Sequence, residues 1–302
     1  MARDPARAST MKLAELFAQG RFVVTGEICP PHGADPARAL ERARQMASAV
    51  DAVNVTDGQG ANMRMGSLAV CRLLRDEGIE PVLQLTCRDR NRIALQSELL
   101  SAAGLGIDNA LLVTGDHVAL GDHREAKAVF DLDSVQLLHV ARGLNEGRSL
   151  AGEELGNATD LCLGAVVAPE ADNMDLQILK MRKKVDAGTE FFQTQAVFNP
   201  PVFERFMDQV SDLDVPVLAG IIPVQSPTAA RFLNARVSGV NVPTWIMHRL
   251  NETPQDDRRR VAGEMAAQIA VAIKRMCQGV HLMPHNLAGL VPEIVRAARL
   301  RD

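Results

Sequence analysis

The sequence predicts an α/β fold, a single-domain (β/α)8 TIM barrel, on three observations. Eight short apolar runs punctuate the 302 residues, helical periods fill the gaps between them, and polar residues gather where the runs end. Strands alternating with helices imply a parallel sheet, and eight repeats close it into a barrel. The length suits one such domain, which takes roughly 250 residues or more. The runs are mostly continuous in apolar character, as strands covered on both faces are. The competing architecture is a doubly wound open sheet, which a G-x-G-x-x-G after the first strand would support. That position holds Gly26-Glu27-Ile28-Cys29-Pro30-Pro31 instead.

The first run, Arg21-Phe22-Val23-Val24, leads into Thr25-Gly26-Glu27-Ile28 and then a proline pair. Two prolines cannot continue a sheet ladder, so the strand stops at about Ile28 with Glu27 near its carboxyl end. Asp35 is placed to cap a helix begun by Pro36 and running to Met46. The further runs are Ala52 to Thr56, Pro81 to Thr86, Ala110 to Thr114, Leu161 to Val166, Phe191 to Gln195, Val215 to Ile222 and Gly279 to Met283. Helical periods lie at about 65–75, 90–103, 134–144, 175–186, 201–210, 228–234, 258–277 and 287–300. Residues 242–257 read as an insertion before the last strand. Residues 115–130 form the longest loop and leave the fourth strand on the predicted catalytic side, where long loops are often functional. Neither linker nor internal repeat divides the chain, so residues 1–19 read as an N-terminal segment and helix and 20–302 as the barrel.

Composition narrows the function classes. Apolar residues make up 47% and charged residues 23%, a globular balance. A net charge of −4 without a long basic block argues against nucleic acid or an anionic membrane as partner. Arg258-Arg259-Arg260 reads as a solvated helix face. No apolar run approaches the roughly 20 residues that span a bilayer, and Met1 to Thr10 lacks a signal-peptide core. Cys29, Cys71, Cys87, Cys162 and Cys277 are scattered and odd in number, which reads as reduced thiols in a cytoplasmic protein.

The strand ends carry Glu27, Thr56-Asp57-Gly58, Gln84 and Thr86, Gly115-Asp116-His117, Gln195, Ile222-Pro223, and His281 with Met283. Glu27 is either a surface acid before a turn or a buried one whose pKa burial raises, making it a general acid near neutral pH. Gly115-Asp116 offers a cradle for phosphate or the polar edge of a flavin, and equally an ordinary turn. Arg182-Lys183-Lys184 pairs with cofactor phosphates or faces solvent. No lysine ends a strand, which disfavours a Schiff-base aldolase. His117 and His281 lack companions at metal-ligand spacing and read as a loop histidine and a partly buried one.

Taken together these residues resemble the methylenetetrahydrofolate reductase family. Gly26-Glu27-Ile28-Cys29-Pro30-Pro31 is similar to its F-E-x-x-P-P strand end, Val53 to Gly58 to its V-x-V-T-x-G, and Leu85-Thr86-Cys87 to its L-T-C. Gly115-Asp116 resembles its R-G-D, Lys184 to Gly188 its K-V-x-A-G, Thr194-Gln195 its T-Q, and Gly220 to Pro223 its G-I-x-P. The matches keep their order over nearly the whole chain.

The resemblance implies a flavin enzyme, FAD or FMN, that takes reducing equivalents from NAD(P)H. It would pass a hydride from flavin N5 to the methylene carbon of 5,10-methylenetetrahydrofolate. It implies Glu27 as the general acid at N10, Asp116 as the acid beside flavin and folate, and Gln195 as the pterin-binding amide. It implies flavin contacts at Thr56, Gln84, Thr86, Gly115, Asp116, Phe130 and Lys183, and a homo-oligomer. The sequence departs from the family at Gln84, where His is common, at Thr114 in place of Arg, and at Phe130 in place of Tyr. Leu287 stands where an Arg helps hold folate. These departures favour, as the alternative, a folate-binding subunit that receives electrons from a partner protein.

Overall fold

The computed structural model describes residues 11–301 except Ser238, so Met1 to Thr10, read above as lacking a signal peptide, lie outside the described residues. Eight parallel strands close into a barrel in sequence order. They are β1 (Val23–Ile28), β2 (Ala52–Val55), β3 (Pro81–Thr86), β4 (Asn109–Val113), β5 (Cys162–Val167), β6 (Phe191–Ala196), β7 (Val217–Ile221) and β8 (Gly279–Leu282). Helix α1 (Leu13–Ala18) precedes them. Around the barrel lie α2 (Ala37–Ala47), α3 (Ser67–Asp76), α4 (Arg92–Gly104), α5 (Ser134–Asn145), α6 (Met174–Asp186), α7 (Pro200–Gln209), α8 (Pro227–Arg236), α9 (Thr244–Glu252), α10 (Arg258–Ile273) and α11 (Val291–Ala297).

The first strand ends at Ile28, as the proline pair requires. Helix α2 starts one residue later than its sequence suggests, at Ala37, whose N–H is taken by Asp35 Oδ1 at 2.9 Å. Helix α4 begins at Arg92 because Asn91 Oδ1 accepts the Ile93 and Ala94 N–H groups. Residues 242–257, read as an insertion, supply α9 and a 3₁₀ turn at Gln255–Asp257. The last helical period splits into a 3₁₀ turn, Ala288–Leu290, and α11, because Pro292 lacks an N–H and suits only a helix's first turn.

Alternation along the strands sorts the barrel interior into layers. The floor is apolar: Val23, Ala52, Val82, Leu111, Cys162, Phe191 and Leu218 pack with Leu13 and Leu16 of α1, which plugs that end. Burying each such leucine is worth about 1.5–3 kcal/mol. The Phe191 ring occupies the space a side chain at Gly164 would need, so only glycine fits there. Two residues further along the strands the interior becomes polar, and this layer carries the mouth. No described helix is long and apolar enough to cross a membrane.

Candidate functional site

The polar layer is a hydrogen-bonded chain across the barrel. Closure of β1 against β8 puts Thr25 opposite His281, and Thr25 Oγ1 lies 2.9 Å from His281 Nδ1. Gln193 of β6 donates from Nε2 to Thr25 Oγ1 at 3.3 Å and to Asn54 Oδ1 at 3.1 Å, while Asn54 Nδ2 donates back to Gln193 Oε1 at 2.8 Å. All four side chains are buried, and their mutual bonds are what make that burial tolerable.

One layer nearer the mouth, Glu27 shares the inward face with Thr25. Its Oε2 accepts from Gln84 Nε2 at 3.0 Å and lies 3.4 Å from His281 Nε2. Glu27 is only 8% exposed, so the buried alternative holds. Its protonation differs from what burial alone predicts. Desolvation is the largest single influence and pushes the pKa up. The hydrogen bond and charge of His281, the charge of His285 and the Gln84 hydrogen bond together outweigh it and hold the carboxyl below its ordinary range. At neutral pH the resting side chain is therefore a carboxylate within a buried acid–imidazole pair.

The neighbouring strand ends are fixed to each other. Asp57 Oδ2 accepts from the Thr86 N–H and hydroxyl, both at 2.9 Å, and from Arg90 Nη1 at 2.7 Å, which joins the β2 and β3 ends. Thr56 is buried, and its hydroxyl lacks a hydrogen bond of ordinary geometry, although the Cys29 thiol is close enough to interact with it. Gly115 has φ +92, and a Cβ there would lie 3.0 Å from Thr86 Cβ, so only glycine brings the chain this close. Gly115→Ala is expected to cost about 1–3 kcal/mol in chemical denaturation, from strain plus the Thr86 contact. An unchanged midpoint would mean the loop relaxes freely.

Asp116 is exposed, and its Oδ2 accepts the Gly60 N–H at 3.0 Å, tying the loop after β4 to the loop after β2. The loops also meet where Gly121 abuts the Ala61 carbonyl. Phe130, at φ +40, stacks on His117 with centroids 6.2 Å apart. Gln195 is half-buried near the carboxyl end of β6, where the pairing with β7 shifts register between Gln193 and Ala196. Lys183 is exposed in the last turn of α6 and does not join this group. Its neighbour Lys184 is buried and donates from Nζ to the Val166 carbonyl at 2.7 Å, with burial, then the charge of Lys180, lowering its pKa to about 8.

The structure thus gathers Glu27, Thr56, Gln84, Thr86, Gly115 and Gln195 at one mouth. Asp116 and Phe130 lie in the long loop beside it, and Lys183 stands apart. His281, read in sequence as partly buried, is 3% exposed and is the direct partner of Glu27. The signal for it was its place on the inward face of the eighth strand. Thr25, Asn54 and Gln193 carried the same alternation signal two residues below the rim residues.

The family model described as methylenetetrahydrofolate reductase matches residues 12–299. Methylenetetrahydrofolate reductase 2 of Schizosaccharomyces pombe is 26% identical over 82% of this chain, which spans only 40% of that relative. The 5,10-methylenetetrahydrofolate reductase of Escherichia coli K12 is 25% identical over 88% of this chain and 86% of its own length. Among solved structures, an uncharacterized Clostridium thermocellum protein described as binding two copies of 5-methyl-5,6,7,8-tetrahydrofolic acid superposes with TM-score 0.64 at 15% identity, covering 94% of this chain and 99% of that one. A 2,3-dimethylmalate lyase superposes at 0.53 and 11% identity, over 95% of this chain and 81% of that one, so the barrel alone does not choose the chemistry.

Proposed function

The chain belongs to the methylenetetrahydrofolate reductase family, and from that premise we propose that it reduces the methylene carbon of 5,10-methylenetetrahydrofolate to methyl, using a bound flavin fed by NAD(P)H. The flavin, when bound, supplies the hydride. The methylene carbon accepts one readily only as an iminium, so the five-membered ring must open, and opening needs a proton at N10. Glu27 is the group that delivers it, and its place in a buried acid–imidazole pair at the mouth carries this reading. Because Glu27 rests as a carboxylate, the proton must enter the pair before the ring opens.

The mouth suits a flavin on two counts. The Thr56 hydroxyl is buried with an unused hydrogen-bonding capacity, and Gly115 leaves a side-chain-free approach beside Thr86. Thr56, Thr86, Gly115 and Gln84 are the residues to hold it, with Asp116 and Phe130 from the long loop. Gln195 has an amide that donates and accepts at once, which matches a pterin edge. Purified protein should show a flavin spectrum that NADH bleaches without oxygen and methylenetetrahydrofolate restores. Absence of both flavin binding and folate-driven reoxidation would overturn the proposal. A second reading, a subunit supplied with electrons by a partner protein, rests on the departures from the family in the loop after Gly115 and after the last strand, at Phe130 and Leu287; full activity of the isolated chain with NADH excludes it.

A further inference from the structure

Strand β6 is regular on one side and irregular on the other. Against β5 its pairing runs without a break, from Phe191 opposite Gly164 to Thr194 opposite Val167. Against β7, Gln193 pairs with Leu218 but Ala196 pairs with Gly220, so β6 takes three steps where β7 takes two. The extra residue makes a β-bulge at Thr194-Gln195, on the residue whose amide is assigned above to the pterin.

Both flanks of the bulge are fixed. Upstream, Gln193 is held in the polar layer by Asn54 and Thr25. Downstream, the Val197 N–H donates to the Gly220 carbonyl at 2.8 Å, and the Phe198 and Asn199 N–H groups donate to Glu170 Oε1 at 2.7 and 2.6 Å. Residues 194–196 must take up the extra length, and one side chain spans them. The Thr194 hydroxyl donates to the Gln195 carbonyl at 2.6 Å and accepts the Gly220 N–H at 2.8 Å. A regular ladder would give that N–H a β6 carbonyl; here a side chain replaces it and ties the two strands across the irregularity. Thr194 is 3% exposed, so both bonds are shielded from water. Gly220 completes the arrangement. A Cβ there would run into the Thr194 carbonyl and lie 2.9 Å from the Gln195 carbonyl, so the bulged backbone occupies the space a side chain would need.

We propose that Thr194 is a positioning residue for folate binding: its hydroxyl locks the bulge and so fixes the direction in which Gln195 offers its amide to the pterin. The inference rests on the folate reading above. The hydroxyl must donate and accept at once, which serine does and valine, of nearly the same shape, does not. Without it the buried Gly220 N–H loses its partner, and the segment around Gln195 must rearrange to recover one. An amide that both donates to and accepts from one pterin edge depends on that direction, because hydrogen bonds weaken steeply off axis.

Binding of 5-methyltetrahydrofolate to the purified protein, measured by titration calorimetry beside the rate of flavin reduction by NADH, tests the role. Thr194→Val is expected to weaken folate binding about tenfold, the worth of one hydrogen bond, and to leave flavin reduction within a few-fold. Thr194→Ser should bind within about twofold of the unaltered protein, since it keeps the hydroxyl. In a Gln195→Ala background, which has no amide to direct, Thr194→Val should change the affinity by less than about twofold, as residues acting through one another do. Should Thr194→Val fail to fold, Thr194→Cys carries the same comparison, because its thiol fills the site but bonds weakly. An equal loss in both backgrounds, a parallel loss in flavin reduction, or an unchanged affinity on removing the hydroxyl would overturn the inference and leave the folate reading intact. Failure of the unaltered protein to bind the folate would defeat that reading as well.

Discussion

Glu27→Gln leaves flavin reduction by NADH within a few-fold of the unaltered protein but slows reduction of methylenetetrahydrofolate by about 10²–10⁴-fold, the usual contribution of a positioned acid. The substitution is nearly isosteric. Its amide oxygen still accepts from Gln84 Nε2, which lies 3.0 Å from Oε2 in the present structure, so the mouth keeps its shape while losing the dissociable proton. The two half-reactions separate the roles, because only folate reduction needs protonation at N10. Anaerobic stopped-flow of each half-reaction is the measurement, with the dissociation constant of 5-methyltetrahydrofolate as a control. Equal losses in both halves, or a matching loss of folate affinity, would make Glu27 a structural residue.

How much of this was legible in the sequence depends on whether a signal was local. Pro30-Pro31 ends a strand by covalent constraint, so the position of Glu27 at the mouth could be read directly. The continuous apolar runs fixed eight strands, and the lack of an N–H at Pro292 accounts for the one helix that splits. Which residue of Arg182-Lys183-Lys184 turns inward was hidden for a local reason of another kind: the composition is uniform, and only helix phase decides. Arg182 pairs with Asp212, Lys183 faces solvent, and Lys184 turns inward to the Val166 carbonyl. The protonation of Glu27 failed because its sign is set by a residue more than 250 positions away. Barrel closure aligns Thr25 with His281, and no feature of either local segment states that pairing. The hydrogen bond from Arg42 to Asn286 was hidden likewise, since the two meet only across the β1–β8 seam.

The same seam yields the second large effect, in His281→Leu. Removing one partner of a buried pair leaves the other charge uncompensated, which typically costs about 3–5 kcal/mol. The sign of the pH dependence follows from Glu27. In the unaltered protein its folded pKa lies below the ordinary value of 4.5, so its contribution to stability is present above that value and is lost as pH falls through the folded pKa. Without His281 the desolvation that now opposes the pair dominates, and the folded pKa rises above the ordinary value. That contribution is fully present below the unfolded pKa and is lost as pH rises through the folded one. The stability gap between the two proteins is therefore largest at neutral pH and narrows toward about pH 4, where an isolated carboxyl is half protonated. Denaturant midpoints at both pH values measure it. His281→Gln, which keeps a donor facing Glu27, should restore part of the neutral-pH stability but not the folate half-reaction. A gap of the same size at both pH values would reduce His281 to a packing group and detach it from the acid beside it.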